Sequence, residues 1–150
     1  MGRSQFFQEL SSQNDSESTV VAREILSWVQ PKTSRIWWGQ GKELGSFVPV
    51  LEHGEMEFFF FAVWTNGTVE IHFQYLQRRP PFDREETRLE LMRRLNLISG
   101  FNLTKELVTR RPTRPLILLK DPHAMKAFQE AIEWGLAQVK GSIMPEQITS

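Results

Sequence analysis

The sequence has no cysteine. That excludes disulfides, cysteine-based zinc sites and thiol catalysis, and it fits a reducing compartment. Long apolar runs are missing as well, since no stretch approaches the ~18 residues of a membrane helix. The first residues, MGRSQFFQELSSQND, lack the apolar core of a signal peptide. A cytoplasmic chain with no membrane partner is therefore expected. Histidine is scarce, with three among 150 residues, and no H-x-x-x-H or comparable spacing occurs. A metal on His72 would have to recruit His53 and Glu52, so neither a metal site nor another cofactor is expected.

Neither sign of charge is in excess, with 18 basic and 18 acidic residues. A pI near 6.9 speaks against strong non-specific DNA binding. The charges are unevenly spread, however. Residues 1–76 carry 5 basic and 9 acidic side chains, and residues 77–150 carry 13 and 9. The basic excess concentrates between Arg78 and Lys120, where phosphates would be attracted. Catalytic signatures are equally sparse. GQGKELG (39–45) has three glycines but precedes a strand, whereas a phosphate cradle opens a helix, so it reads as a hairpin loop. No G-x-S-x-G elbow is present. A restriction-type nuclease strand would carry E-x-K where this chain has Glu70-Ile71-His72, without the lysine.

What is present describes one domain of about 150 residues with its core over 20–140. SQFFQEL suggests a short helix bearing Phe6, Phe7 and Leu10, followed by a polar loop, SSQNDSES (11–18). In TVVAREILSWVQP the residues Val21, Ala22, Ile25, Trp28 and Val29 share one helical face, and Pro31 ends the helix. RIWWG and GSFVPVLEH read as strands, with Pro49 demanding a sheet edge or a bulge. Asn66-Gly67 between two β-rich runs signals a two-residue type I′ hairpin. PPFDREETRLELMRRLNLI announces a helix capped by Asp83 and Glu86, with Leu91, Leu95 and Ile98 inward and Arg84, Arg88, Arg94 and Glu90 outward. FNLTKELVTRRPTRPLILL looks irregular. A last helix begins at Asp121-Pro122, buries Met125, Phe128, Ile132, Leu136 and Val139, and stops at Gly141, leaving SIMPEQITS to fray. The expected fold is α+β with two layers: about four antiparallel strands, with amino-terminal and carboxy-terminal helices on one face.

A two-residue turn would set Val63 opposite Glu70 and Phe61 opposite His72. Phe58, Phe60, Ala62 and Trp64 with Val69, Ile71, Phe73 and Tyr75 would then face the helices. The other face would join Phe59, Phe61 and Val63 to Glu70, His72 and Gln74, an aromatic floor beside a polar row. A single bulge would exchange the faces. Such a mixed surface needs a cover, which is a ligand, a partner chain or the protein's own helix or Trp37-Trp38 strand. The candidate ligand-binding set is therefore Glu70, His72, Gln74, Phe59, Phe61, Trp37 and Trp38. Arg78, Arg79, Arg110, Arg111 and Arg114, beside prolines in surface loops, form a candidate phosphate-binding set.

The pattern RIWWGQGKELGSFVPVLEH, FAVWTNGTVEIHFQ, PPFDREETRLELMRRLN, RRPTRPLILLKDP resembles an uncharacterised bacterial domain family over residues 20–140. Members stand alone or follow nuclease-like domains, which implies an accessory role near nucleic acid. The first functional expectation is a small non-enzymatic binding module for nucleic acid or a phosphate-bearing ligand, with no catalytic residue. The alternatives are a hydrolase or transferase using Glu70 and His72, and a homodimeric interaction domain whose aromatic face is the contact.

Overall fold

The structure, a computed structural model, describes residues 1–41 and 43–149, giving the backbone alone for 142–149. The lysine of GQGKELG and the final residue of the SIMPEQITS tail lie outside the described residues.

The amino-terminal helices form for local reasons. In α1 (Arg3–Gln13) the spacing of Phe6, Phe7 and Leu10 gathers all three on one face, where they are buried. The polar segment after them is mostly helical rather than loop. Asp15 accepts a hydrogen bond from the Ser18 backbone N–H at 2.7 Å, and this cap starts α2 (Ser16–Val29) earlier than the apolar pattern indicates. Val21, Ala22, Ile25 and Val29 are buried as expected, Trp28 partly, and Pro31 turns the chain into a short 3-10 segment.

Among the described residues, six antiparallel strands make one sheet. β1 (Arg35–Gln40) pairs with β2 (Gly45–His53), Trp37 opposite Val48. On its other side β2 meets two halves of a single course, β3 (Met56–Phe59) and β4 (Phe61–Trp64). Val50 stands opposite Phe59 and Phe47 opposite Val63. Val48 and Pro49 thus oppose three residues, Phe60, Phe61 and Ala62, which is a β-bulge. Proline explains its position. The Val50 carbonyl accepts from the Ser34 N–H on the β1 side, so strand alternation turns Pro49 toward β3 and β4, where it has no N–H to offer.

The hairpin register also departs from the expected one. Phe61 pairs with Ile71, Ala62 with Glu70 and Trp64 with Thr68 of β5 (Thr68–Ile71). Thr65, Asn66 and Gly67 therefore form a three-residue loop. Gly67 alone takes the left-handed conformation, with φ 85°, and its N–H bonds the Trp64 carbonyl. That is the alternative use of Asn-Gly, a turn followed by a left-handed glycine. Asn14 fixes the loop from the α1–α2 junction, donating to the carbonyls of both Leu10 and Thr65.

Bulge and loop together exchange the two faces beyond Phe60. Phe61 and Val63 join Val69 and Ile71 in the core, while Ala62 and Trp64 turn outward beside Glu70. Phe58 and Phe60 remain in the core. β5 also ends sooner than expected. The N–H groups of Tyr75 and Leu76 turn back to the His72 carbonyl, closing the single helical turn α3 (Phe73–Leu76). β6 (Thr113–Pro115), which the irregular reading of its segment missed, completes the sheet with Thr113 opposite Glu70.

Helices cover one face only. Phe6 of α1 meets Phe47 edge-to-face, and Phe128 of α5 (Pro122–Thr149) meets Phe61 in the same way with ring centres 5.1 Å apart. Asp121 and Pro122 start α5 as expected, with the Met125 N–H bonded to the Asp121 carbonyl. Gly141 does not stop the helix, because its backbone stays helical. α4 (Glu85–Leu95) packs on α5 and buries Leu91 and Leu95. Its cap position is held by Arg84 without a side-chain bond, and Asp83 belongs to the preceding turn, its N–H bonded to the Arg79 carbonyl. Arg88 is buried rather than outward: Nε donates to the Val108 carbonyl at 2.8 Å and Nη1 to the Phe82 carbonyl at 2.7 Å. The result is a two-layer α+β domain with one sheet face under the helices. Among the described residues no helix is long and apolar enough to cross a membrane.

Candidate functional site

The sheet face away from the helices holds a cleft of about 440 Å³, lined by Trp37 and Val48 from β1 and β2, Phe59 and Trp64 from the bulged course, and Tyr75, Arg78 and Arg111 at its rim. Its size lies within the ~300–1,000 Å³ of small-molecule sites. Strand alternation supplies the walls. Trp37 faces outward because its neighbour Trp38 packs inward on Phe6 and Phe47, and Trp37 is 54% exposed. Phe59 faces the cleft because it precedes the bulge, and Ala62 and Trp64 because they follow it.

Glu70 and His72 sit two residues apart and share this face, as alternation requires. Glu70 Oε1 lies 2.8 Å from His72 Nε2, and their side chains are only 13% and 5% exposed. Burial works against the Glu70 charge. The hydrogen bond and attraction of His72, the Arg111 guanidinium and the Trp64 indole outweigh it, and the carboxyl is held below the ordinary glutamate value. With an ionised carboxylate as its partner, His72 Nε2 carries the hydrogen between them. Nδ1 is buried with no hydrogen-bond partner among the described residues. The imidazole ring meets Tyr75 edge-on at 4.9 Å.

Tyr75, the only tyrosine, organises the basic end. Its hydroxyl accepts from Arg111 Nη1 at 2.7 Å, and the Arg111 and Arg78 guanidiniums lie 5.4 and 5.8 Å from its ring centre. Neither arginine forms an ion pair with a carboxylate among the described residues, in contrast to Arg35, which pairs with Glu52 and Glu57.

Of the expected ligand set, the fold brings Glu70, His72, Phe59 and Trp37 together. Phe61 is sealed in the core by the bulge, and Trp38 lies on the core side of β1. Gln74 left the polar row when β5 gave way to α3, and its backbone N–H bonds the Arg110 carbonyl. Of the five arginines, Arg78 and Arg111 line the cleft. Arg79 is spent on the Glu57 carbonyl and Arg114 on the Phe101 and Thr113 carbonyls, while Arg110 is exposed outside the cleft. Trp64, Ala62, Val48, Ser46 and Tyr75 belong to the walls without having been expected there; for Ala62 and Trp64, Pro49 was the one signal that a bulge could turn them. No three His, Asp or Glu side chains cluster as metal ligands would among the described residues.

No family model matches the chain, and no curated protein or solved structure matches it either.

Proposed function

We propose that this chain is a small non-enzymatic binding module whose open sheet face takes up one nucleotide unit, free or within a single strand. The observation that carries this reading is the combination, in one cleft, of the Trp37, Phe59 and Trp64 rings with the Arg78 and Arg111 guanidiniums. Rings of this kind stack on bases whatever their identity, and arginine forks grip phosphate. A binding role fits the dyad better than a catalytic one. A general base must reach the proton it abstracts, whereas His72 Nε2 is held by Glu70 and Nδ1 is buried. The resemblance to a family whose members stand alone or follow nuclease-like domains is consistent with this reading.

Tryptophan fluorescence provides the test, because two of the five tryptophans line the cleft. Titration with mononucleotides and with a short single-stranded oligonucleotide should quench emission. For the oligonucleotide, two phosphate contacts give a slope of log K against log salt of about −1.4, and Arg111→Ala should bring it to about −0.7. An unchanged spectrum at low salt with every nucleotide refutes the proposal.

A further inference from the structure

Two kinds of charged group line the cleft. Arg78 and Arg111 at the rim near Tyr75 are donors only. The Glu70 carboxylate is the reverse: ionised, it accepts only, and the hydrogen on His72 Nε2 is already spent on it. The Trp64 indole is among the groups that hold this carboxylate ionised. A ligand that satisfies both needs an anionic group for the guanidiniums and hydrogen-bond donors for the carboxylate. Resting on the nucleotide-binding reading above, we propose that the Glu70 carboxylate, oriented by His72, selects guanine.

Among the bases, guanine alone sets two adjacent N–H donors, N1–H and the N2 amine, along one edge at a spacing that meets both oxygens of a carboxylate. Adenine and cytosine place a ring-nitrogen lone pair beside their amine, which the carboxylate repels. Uracil has one N–H between two carbonyls. Glu70 Oε1 accepts from His72 and retains a second lone pair, so the imidazole bond leaves the carboxylate able to take both donors while stopping it from rotating. His72 acts as a positioning residue that touches the carboxylate.

The full chain is titrated with GMP, IMP and AMP under one set of conditions. IMP keeps N1–H and lacks the N2 amine. A bidentate contact predicts GMP about tenfold or more tighter than AMP, with IMP between them. Glu70→Gln should bring the GMP-to-AMP ratio within about twofold, by weakening GMP and relieving the repulsion of adenine, and His72→Phe should lower the ratio. Measurable but equal affinities for GMP and AMP in the unaltered protein overturn the guanine assignment and leave nucleotide binding standing. An absence of binding by all three overturns the nucleotide reading and this inference with it. The GMP-to-IMP comparison needs no variant, so misfolding of Glu70→Gln would not rescue the idea.

Discussion

Replacing Arg88 by methionine tests whether a buried cation tied to backbone carbonyls holds the carboxy-terminal half together. The side chain is 6% exposed and bridges the Phe82 and Val108 carbonyls, joining the segment before α4 to the 3-10 turn that precedes the Arg110–Arg111 loop. Two hydrogen bonds from a charged donor contribute about 3–6 kcal/mol together. Burying a guanidinium with no carboxylate beside it costs part of that, which methionine would recover. The net loss should be about 2–4 kcal/mol, or a fall in Tm of roughly 5–15 °C for a chain of this length. Urea and thermal denaturation followed by far-ultraviolet circular dichroism would measure it. Arg88→Lys should fall between the two, because a point charge cannot span both carbonyls. A methionine variant within about 0.5 kcal/mol of the parent would refute the reasoning, since the carbonyls would then have found other partners.

Gly135→Ala would place a methyl group 2.5 Å from the Phe60 ring edge, and Phe82 blocks that ring from retreating. Overpacking of about 1–3 kcal/mol should outweigh the ~1 kcal/mol gained in helix propensity, and a raised Tm would contradict the packing described. Gly67→Ala forces alanine into φ 85° and against Asn14 Oδ1, so a loss of roughly 2–4 kcal/mol is expected in urea denaturation, with Asn14→Ala partly suppressing it. Carbon-detected NMR titration should find the Glu70 carboxyl ionising below the ordinary glutamate value. Because the folded value is the lower one, Glu70 adds stability above the unfolded glutamate pKa, and that contribution disappears as pH falls through the folded one. His72→Phe leaves burial less opposed and should move the midpoint up; a midpoint unmoved by that change would show that the dyad is not what holds the charge.

Much of the fold was legible because it rests on local rules. The α2 and α5 stripes follow helical periodicity, and both helix starts obey capping chemistry at Asp15 and Asp121-Pro122. Pro49 announced a bulge or an edge. What it could not announce is on which strand the extra residue would fall, because that depends on the partner strand's length between two paired positions. Glu70 and His72 were legible as neighbours, since both lie on the same side of any bulge and alternation alone relates them. Trp64 and Phe61 were assigned to the wrong faces because they lie beyond it. Tyr75 and Gln74 were misplaced for another reason, the early end of β5, which is set by hydrogen bonds to His72 and Arg110 that no periodicity encodes. The inward turn of Arg88 reflects carbonyls contributed by Phe82 and Val108, the latter 20 residues away.

The extra residue opposite Pro49 gives chain length at this point a power that residue identity lacks. Shortening the course by one position would rotate Phe58 and Phe59 past each other relative to the hairpin, burying one lining and exhibiting another with no side chain altered. Substitutions in the cleft would adjust affinity in small steps, whereas a single codon lost or gained here would reassign which rings a bound molecule encounters.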